Sequence, residues 1–396
     1  MKGMLQYNRK LNSQGRNLTF RADAKYTDKD SKSISLKNTR YYLTELEQGK
    51  KASDINRYNL TPSKDYSYAG QVTYSEPLWK ATFLQFSYKF TYSYSKSDRS
   101  TYRFDDYSFD GITPVYRTWG SYLDRVGSNW EDTKDDDLSK YSEYKNYTHD
   151  IQVMMRFIRS KYNLNFGVMI QPQRSNFIYD YMGNHTDTVR TVTNFSPTLD
   201  FRYRFSKMSN LRINYRGTTS QPSISQLLNV VDDSDPLNIS KGNPGLKPSF
   251  TQNFRLFYNN FVQNHNKGVM TFVNFSTTRN SISNKVEYDE KTGGRTTTPE
   301  NINGNWNVMG AFMFNCSIDS AGVWNINTGA HANYNNYVSY LSVDQNSSSL
   351  KNTTRSLTWR QNLSLSYRND WAEFSLDGTL TYNKAKNKLQ PNSNLN

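Results

Sequence analysis

The stretch from Leu84 to Ser95 alternates without a break. Leu84, Phe86, Tyr88, Phe90, Tyr92 and Tyr94 stand on one side, and Gln85, Ser87, Lys89, Thr91, Ser93 and Ser95 on the other. A period of two belongs to an extended strand with one apolar and one polar face. At about 3.3 Å per residue such a strand is long enough to cross a bilayer at a tilt. The pattern recurs in Leu18 to Tyr26, Ile151 to Phe157, Tyr162 to Ile170, Leu199 to Phe205, Leu211 to Tyr215, Phe254 to Tyr258, Leu357 to Tyr367 and Phe374 to Tyr382. The whole chain reads as roughly thirteen such strands.

The connections have two lengths. Tight turns are expected at Ser13 to Arg16, Ser75 to Leu78, Arg159 to Lys161, Ser206 to Asn210, Gln263 to Lys267, Asp319 to Gly322 and Asn369-Asp370. Between them lie longer polar connections: from Tyr26 to about Tyr66, Lys96 to Asn146, a loop near Asn184, Gln221 to Phe250, Glu290 to Arg295 and Val343 to Asn352. In an antiparallel meander this puts every short turn at one end and every long loop at the other, as in bacterial outer-membrane barrels. A soluble sandwich or propeller has no need of that asymmetry and rarely uses strands this long. The expected fold is all-β, an antiparallel transmembrane β-barrel, with residues 1–396 as one barrel domain.

Composition is compatible with this reading and does not decide it. The 396 residues include 30 Tyr and 21 Phe, and the mean hydropathy is -0.86. There is no run of 18 apolar residues, hence no transmembrane helix. A barrel strand needs only every second residue apolar, because its other face lines a wet lumen. The single cysteine, Cys316, excludes an intramolecular disulfide and a cysteine zinc cluster and reads as a small apolar residue.

Residues that could carry catalysis do not converge. His149, His185, His265 and His331 lie in unrelated segments without metal-ligand spacing, and no phosphate-cradling glycine loop, GxSxG elbow or HExxH is present. The carboxylates of Asp105-Asp106, Asp232-Asp233 and Asp135-Asp136-Asp137 read as solvated loop charge, without EF-hand spacing for Ca²⁺. No enzymatic activity, metal or cofactor is therefore expected.

The Gln221 to Phe250 stretch breaks the alternation. It carries four of the eleven prolines, Pro222, Pro236, Pro244 and Pro248, and Gly242-Asn243-Pro244-Gly245 is expected to supply positive-φ positions for a rigid corner. Three ordered pieces stand out: Gln221-Pro222-Ser223-Ile224-Ser225-Gln226-Leu227, then Asp235-Pro236-Leu237-Asn238, then Gly242-Asn243-Pro244-Gly245-Leu246-Lys247-Pro248. Together they resemble a signature of TonB-dependent outer-membrane receptors, and in particular of the outer membrane protein beta-barrel family, distant relatives of SusC-like glycan importers. Ser249 departs from the family pattern, which commonly has an acidic residue there.

The resemblance implies that residues 221–249 form an extracellular loop between two barrel strands. It implies a barrel of about 22 strands with an N-terminal plug, of which this chain would be a partial barrel without the plug. The start Met1-Lys2-Gly3-Met4 lacks a signal-peptide core, which fits a piece of a longer exported protein. Implied partners are outer-membrane lipids, the plug, TonB and a surface lipoprotein, in the outer membrane of a Gram-negative bacterium. The implied role is energised uptake of a metal chelate, glycan or peptide.

The formal net charge of +14 raises the question of nucleic acid, but the basic residues are spread through strands. Arg202, Arg204, Arg212, Arg216 and Arg255 alternate with apolar residues and in a barrel would line the lumen. There they would hydrogen-bond to the plug or to acidic neighbours, or else guide an anionic solute. No compact basic patch with interleaved aromatics suggests a nucleic-acid partner. Tyr92, Tyr94, Trp359 and Tyr382 fit interfacial aromatic girdles, while the aromatics of Lys96 to Asn146 serve either loop packing or capture of a solute such as a sugar. Two further readings share the strand pattern: a passive outer-membrane pore, and a secreted β-rich carbohydrate-binding or adhesion protein.

Overall fold

A computed structural model of the chain describes residues 1–40, 52–104, 123, 129–227, 231–232, 237–263, 266–288, 294–341 and 349–389. The strands are β1 (Lys2–Lys10), β2 (Asn17–Arg40), β3 (Ala52–Trp79), β4 (Thr82–Arg103), β5 (Lys134–Ile158), β6 (Tyr162–Tyr181), β7 (Asn184–Ser206) and β8 (Ser209–Ser220). They continue as β9 (Val231–Asp232), β10 (Asn238–Lys241), β11 (Ser249–Val262), β12 (Lys267–Arg279), β13 (Ser281–Tyr288), β14 (Arg295–Ile302), β15 (Asn305–Ser317), β16 (Trp324–Leu341), β17 (Leu350–Arg368) and β18 (Glu373–Asn387). A one-turn helix, α1 (Ile224–Leu227), lies between β8 and β9.

Fourteen strands form one sheet in the order β1-β2-β3-β4-β5-β6-β7-β8-β11-β12-β15-β16-β17-β18. Each neighbouring pair is antiparallel. Among the described residues β1 and β18 are the two free edges. The remaining strands form a four-stranded sheet, β13-β14-β10-β9, at the loop end.

The alternation of the sequence becomes two faces. Phe86, Ile151, Phe166, Phe195, Leu363 and Leu376 are exposed, and among the described residues no second layer covers them. Lipid satisfies such a face, whereas water would not. Aromatic rows bound it at both ends. Near the loops, Tyr215, Phe254, Phe275, Trp306 and Tyr334 run across five strands with ring centroids 4.6 to 6.2 Å apart. Near the short turns, Tyr203 meets Phe205 at 4.7 Å and Trp324 meets Tyr367 at 4.9 Å. On β16, Trp324 and Tyr334 belong to opposite rows; their separation of about 33 Å along the strand becomes ~25 Å at a tilt of about 40°. That is the height of a barrel's apolar band.

Seven short turns, those of β1–β2, β3–β4, β5–β6, β7–β8, β11–β12, β15–β16 and β17–β18, fall at one end, as the alternation of connections required, and one further short turn, that of β6–β7, lies at the other. The other end differs from the sequence reading in extent. The connection expected from Tyr26 to about Tyr66 is largely strand, since β2 runs to Arg40 and β3 starts at Ala52. The excursion expected from Lys96 to Asn146 is likewise shortened by β4, which runs to Arg103, and by β5, which starts at Lys134 and takes in Asp135 to Asp137. These extensions project beyond the apolar band, where only a small cluster around Tyr58 is buried, so their ladders carry no sustained alternation. Asp105-Asp106 and most of the intervening loop lie outside the described residues.

Two turns were misplaced. The loop near Asn184 is a two-residue hairpin turn, with Met182 at φ 52° and Gly183 at φ 70°, the paired positive values of a type I′ turn. Ser75 to Leu78 is strand, and the chain reverses at Lys80-Ala81, where Ala81 has φ 50°. Pro77 is tolerated because the ladder shifts register between Pro77 and Trp79. Two clusters of buried apolar residues lie at the loop end, Tyr58 with Phe104 and Phe177 with Tyr179 and Tyr181.

Candidate functional site

The Gln221 to Phe250 stretch is folded by its polar side chains. Ser223 and Gln226 cap α1 reciprocally: the Gln226 amide donates to Ser223 Oγ at 3.3 Å, and the Ser223 amide donates to Gln226 Oε1 at 3.0 Å. The Gln226 carbonyl then accepts the Asn243 amide at 2.6 Å, which joins the first piece of the motif to the last. The corner itself departs from the sequence reading. Among the described residues the glycines with positive φ are Gly15, Gly183, Gly304 and Gly322, so the corner does not use Gly242 or Gly245 in that way. Instead Asn243 Oδ1 accepts the Gly245 amide at 2.9 Å, an Asx turn. Pro222, Gly242 and Leu246 are buried, Leu227 is half-buried, and Pro244 and Lys247 are exposed. Pro236 lies outside the described residues.

The loop is clamped to the β13–β14 hairpin. Asn301 behaves like a strand backbone: its Oδ1 accepts the Lys247 amide at 2.7 Å, while its Nδ2 donates to the carbonyls of Lys247 at 3.0 Å and Asn280 at 2.9 Å. Asn280 Nδ2 reaches the Pro248 carbonyl at 3.4 Å, and Asn243 Nδ2 reaches that of Pro299 at 3.0 Å. The Leu237 carbonyl accepts the Arg295 amide at 3.0 Å. On its far side the hairpin is tied to the β16–β17 connection, where the Val286 amide donates to Ser349 Oγ at 2.8 Å. Three consecutive loops are thus held as one unit. Asn280, at φ 51°, and Gly304, at φ 117°, mark where the β12–β15 ladder ends and the hairpin bends away.

Below the loop, polar side chains bridge three strands, β5, β6 and β7, to the first residue of the motif. Gln221 Nε2 donates to Asn194 Oδ1 at 2.6 Å, Asn194 Nδ2 to Gln171 Oε1 at 2.8 Å, and Gln171 Nε2 to Asp150 Oδ1 at 2.6 Å. Arg190 donates to Gln221 Oε1 at 3.1 Å. Gln221 therefore links the motif to the polar face.

That face carries a cavity of 710 Å³ in the turn half of the sheet, lined by Arg156, Arg202, Arg212, Arg216, Arg255 and Asp200. Four of the five arginines singled out in the sequence meet there; Arg204 does not line it. Sequence reasoning missed Arg156 and Asp200, because only strand register brings β5 to β7 and β8. Asp200 Oδ2 accepts from Arg212 Nη2 at 2.7 Å and Nε at 3.1 Å, and from Asn214 at 3.3 Å. Arg255 Nε donates to Asn274 at 3.3 Å. In register, Arg202 stands directly opposite Arg212. Elsewhere, no group of three or more His, Cys, Asp or Glu among the described residues is arranged to hold a metal ion.

A sequence model of the outer membrane protein beta-barrel family matches residues 9–395. The chain belongs to that family. Its place is the Gram-negative outer membrane, which sets aside the reading as a secreted β-rich binder. A search of curated proteins gave no match. Among solved structures, this barrel chain is similar to the alcaligin outer-membrane receptor FauA from Bordetella pertussis, with 10% identity, TM-score 0.40, and coverage of 98% of this chain and 65% of that one. It is also similar to the ferric-catecholate import receptor Fiu from K12 E. coli, with 10% identity, TM-score 0.46 and 95% and 58% covered. A third is the ferric citrate transporter FecA, with 10% identity, TM-score 0.43 and 98% and 61% covered. The chain thus spans 58% to 65% of the length of these receptors; its assignment rests on the family match.

Proposed function

We propose that the chain forms part of the barrel domain of a TonB-dependent outer-membrane receptor that imports a metal chelate, glycan or peptide. The apolar face contacts outer-membrane lipid, and the polar face, with Arg202, Arg204, Arg212, Arg216 and Arg255, lines the lumen. Residues 221–249 are then an extracellular loop. The clamp centred on Asn243 and Asn301 holds it with its neighbours as a rigid part of the rim over which solute enters. The partners in this reading are a plug that occupies the lumen, TonB, and a surface lipoprotein at the rim.

One observation carries the proposal: a fourteen-stranded meander has an exposed apolar face opposite a polar one, with seven of its short turns at one end and all its long connections at the other. That architecture separates lipid from a wet interior and gives the two ends different roles. Catalysis is no part of the proposal.

The test is accumulation by cells that carry or lack the gene of the whole protein. Labelled ferric chelates, oligosaccharides and peptides are offered with and without a protonophore. Gene-dependent accumulation abolished by the protonophore supports the reading. Gene-dependent entry that survives the protonophore supports the passive pore instead, and no gene-dependent entry of any solute refutes both.

A further inference from the structure

The arginine cavity carries more positive charge than its own residues neutralise. Arg156, Arg202, Arg212, Arg216 and Arg255 line it with one carboxylate, Asp200, and that carboxylate is committed to Arg212. Among the described residues Arg156, Arg202 and Arg216 have no ion-pair partner. Two of the five stand directly opposite each other on neighbouring strands, Arg202 on β7 and Arg212 on β8, an arrangement of like charges that destabilises a ladder. Neighbours across the other ladders are neutral: Asn163 faces Arg202, Asn165 faces Arg156, and Asn253 faces Arg216. An asparagine side chain can accept a hydrogen bond but cancels no charge.

Guanidinium groups remain charged at any physiological pH, and their planar donors match the paired oxygens of a carboxylate or phosphate. A concave face focuses their field. Local conflict of this kind marks places where a fold is completed by something else.

We infer that these five arginines form a seat for a multivalent oxyanion, a cluster of carboxylates or a polyphosphate. The inference rests on the reading of the polar face as the lumen. The anion has two possible sources with the same chemistry: acidic side chains of the segment that fills the lumen, or a free anionic solute passing through it. The cavity lies toward the short turns, since Arg156 precedes the turn at Arg159 to Lys161 and Arg202 and Arg212 flank that at Lys207-Met208. Either source reaches it from inside the barrel.

The test uses the full-length protein purified in detergent, with citrate and tripolyphosphate as probes in low salt, read by titration calorimetry, thermal unfolding and limited proteolysis. The variants are R202Q, R202Q/R216Q and the charge-preserving R202K/R216K. Binding of either probe that weakens about tenfold or more in R202Q/R216Q, and less in R202K/R216K, supports the seat with a free-anion source. Silent probes support an internal source if R202Q/R216Q lowers the unfolding temperature and opens the lumen-filling segment to protease while R202K/R216K does so less. R202Q, which removes only the charge opposite Arg212, gives the same comparison should the double variant fail to assemble. Two results overturn the seat: probe binding that the glutamine variants leave unchanged, and silent probes with glutamine variants as stable as the parent or more stable. Loss of the seat with gene-dependent uptake intact refutes this inference alone; loss of uptake with anion binding intact refutes only the transport reading.

Discussion

Replacing Asn301 with Ala removes three hydrogen bonds that hold the clamp: two to Lys247 of the motif loop, at 2.7 and 3.0 Å, and one to the Asn280 carbonyl at the base of the β13–β14 hairpin, at 2.9 Å. Lys247 is exposed, so water replaces part of what is lost, and each bond is worth about 0.5–1 kcal/mol net. The clamp therefore weakens by roughly 1.5–3 kcal/mol, which corresponds to an about 10- to 150-fold larger open population at 1.4 kcal/mol per decade. Hydrogen exchange followed by mass spectrometry on the protein in lipid should show faster exchange in peptides covering β10, β13, β14 and the Lys247 amide. Exchange in β4 to β7 should not change, because the ladders of the main sheet do not depend on Asn301. N301D keeps the acceptor for the Lys247 amide but sets a carboxylate oxygen against the Lys247 and Asn280 carbonyls, so it should open the clamp at least as far. An N301A protein whose loop peptides exchange at the parent rate would refute the clamp, and acceleration spread evenly over the main sheet would refute its local character.

The strands within the bilayer were legible because lipid on one side and a wet lumen on the other impose the period of two. Leu84 to Tyr94 and Leu357 to Tyr367 needed only that rule. Beyond the bilayer the rule lapses. Thr27 to Arg40 pairs along its whole length with Ala52 to Asp65, yet reads as a polar connection because it buries only a few scattered apolar residues, Ile34 and Leu60 against Tyr58, with no period of two. Met182-Gly183 lacks the Asn-Gly or Asp-Gly pair that announces a type I′ turn. The motif was legible as a rigid loop, but its corner was credited to glycine backbone freedom when the Asn243 side chain makes it. Asn301 and Asn280, which hold the corner in place, carry no local signal. The arginines were visible one by one. That four of them converge with Arg156 and Asp200 follows from register and sheet curvature, which no spacing within a single strand reveals.

Three other outcomes follow from the same physics. Phe86→Arg on the exposed apolar face should cost about 2–4 kcal/mol in reversible urea unfolding from lipid vesicles, and Thr91→Arg on the polar face of the same strand much less. Equal costs would remove the distinction between the faces. Gly183→Val should destabilise the β6–β7 hairpin by about 1–2 kcal/mol in the same assay. A Cβ there meets nothing within 4 Å, so the cost comes from φ 70° alone. In the turn between β15 and β16, the Trp324 amide at 2.7 Å and the Val323 amide at 3.1 Å donate to the Asp319 carboxylate and hold its pKa below the ordinary aspartate range. The turn's extra stability is therefore present above the unfolded value of about 3.9 and lost as pH falls through the lower folded value. Exchange protection of these amides, corrected for intrinsic rate, should fall in that window and be weak at every pH in D319A.

The most direct test of the account is a cysteine scan along β4, from Leu84 to Tyr94, in the Cys316→Ser background of the full-length protein in its native membrane. Nitroxide labels at Leu84, Phe86, Tyr88, Phe90 and Tyr92 should be relaxed by lipid-soluble oxygen, and labels at Gln85, Ser87, Lys89, Thr91 and Ser93 by a water-soluble nickel chelate or by neither reagent. A period of two in oxygen accessibility places the apolar face in lipid. Accessibility of both parities to the nickel chelate, with no oxygen maximum at the phenylalanines, would contradict the membrane barrel.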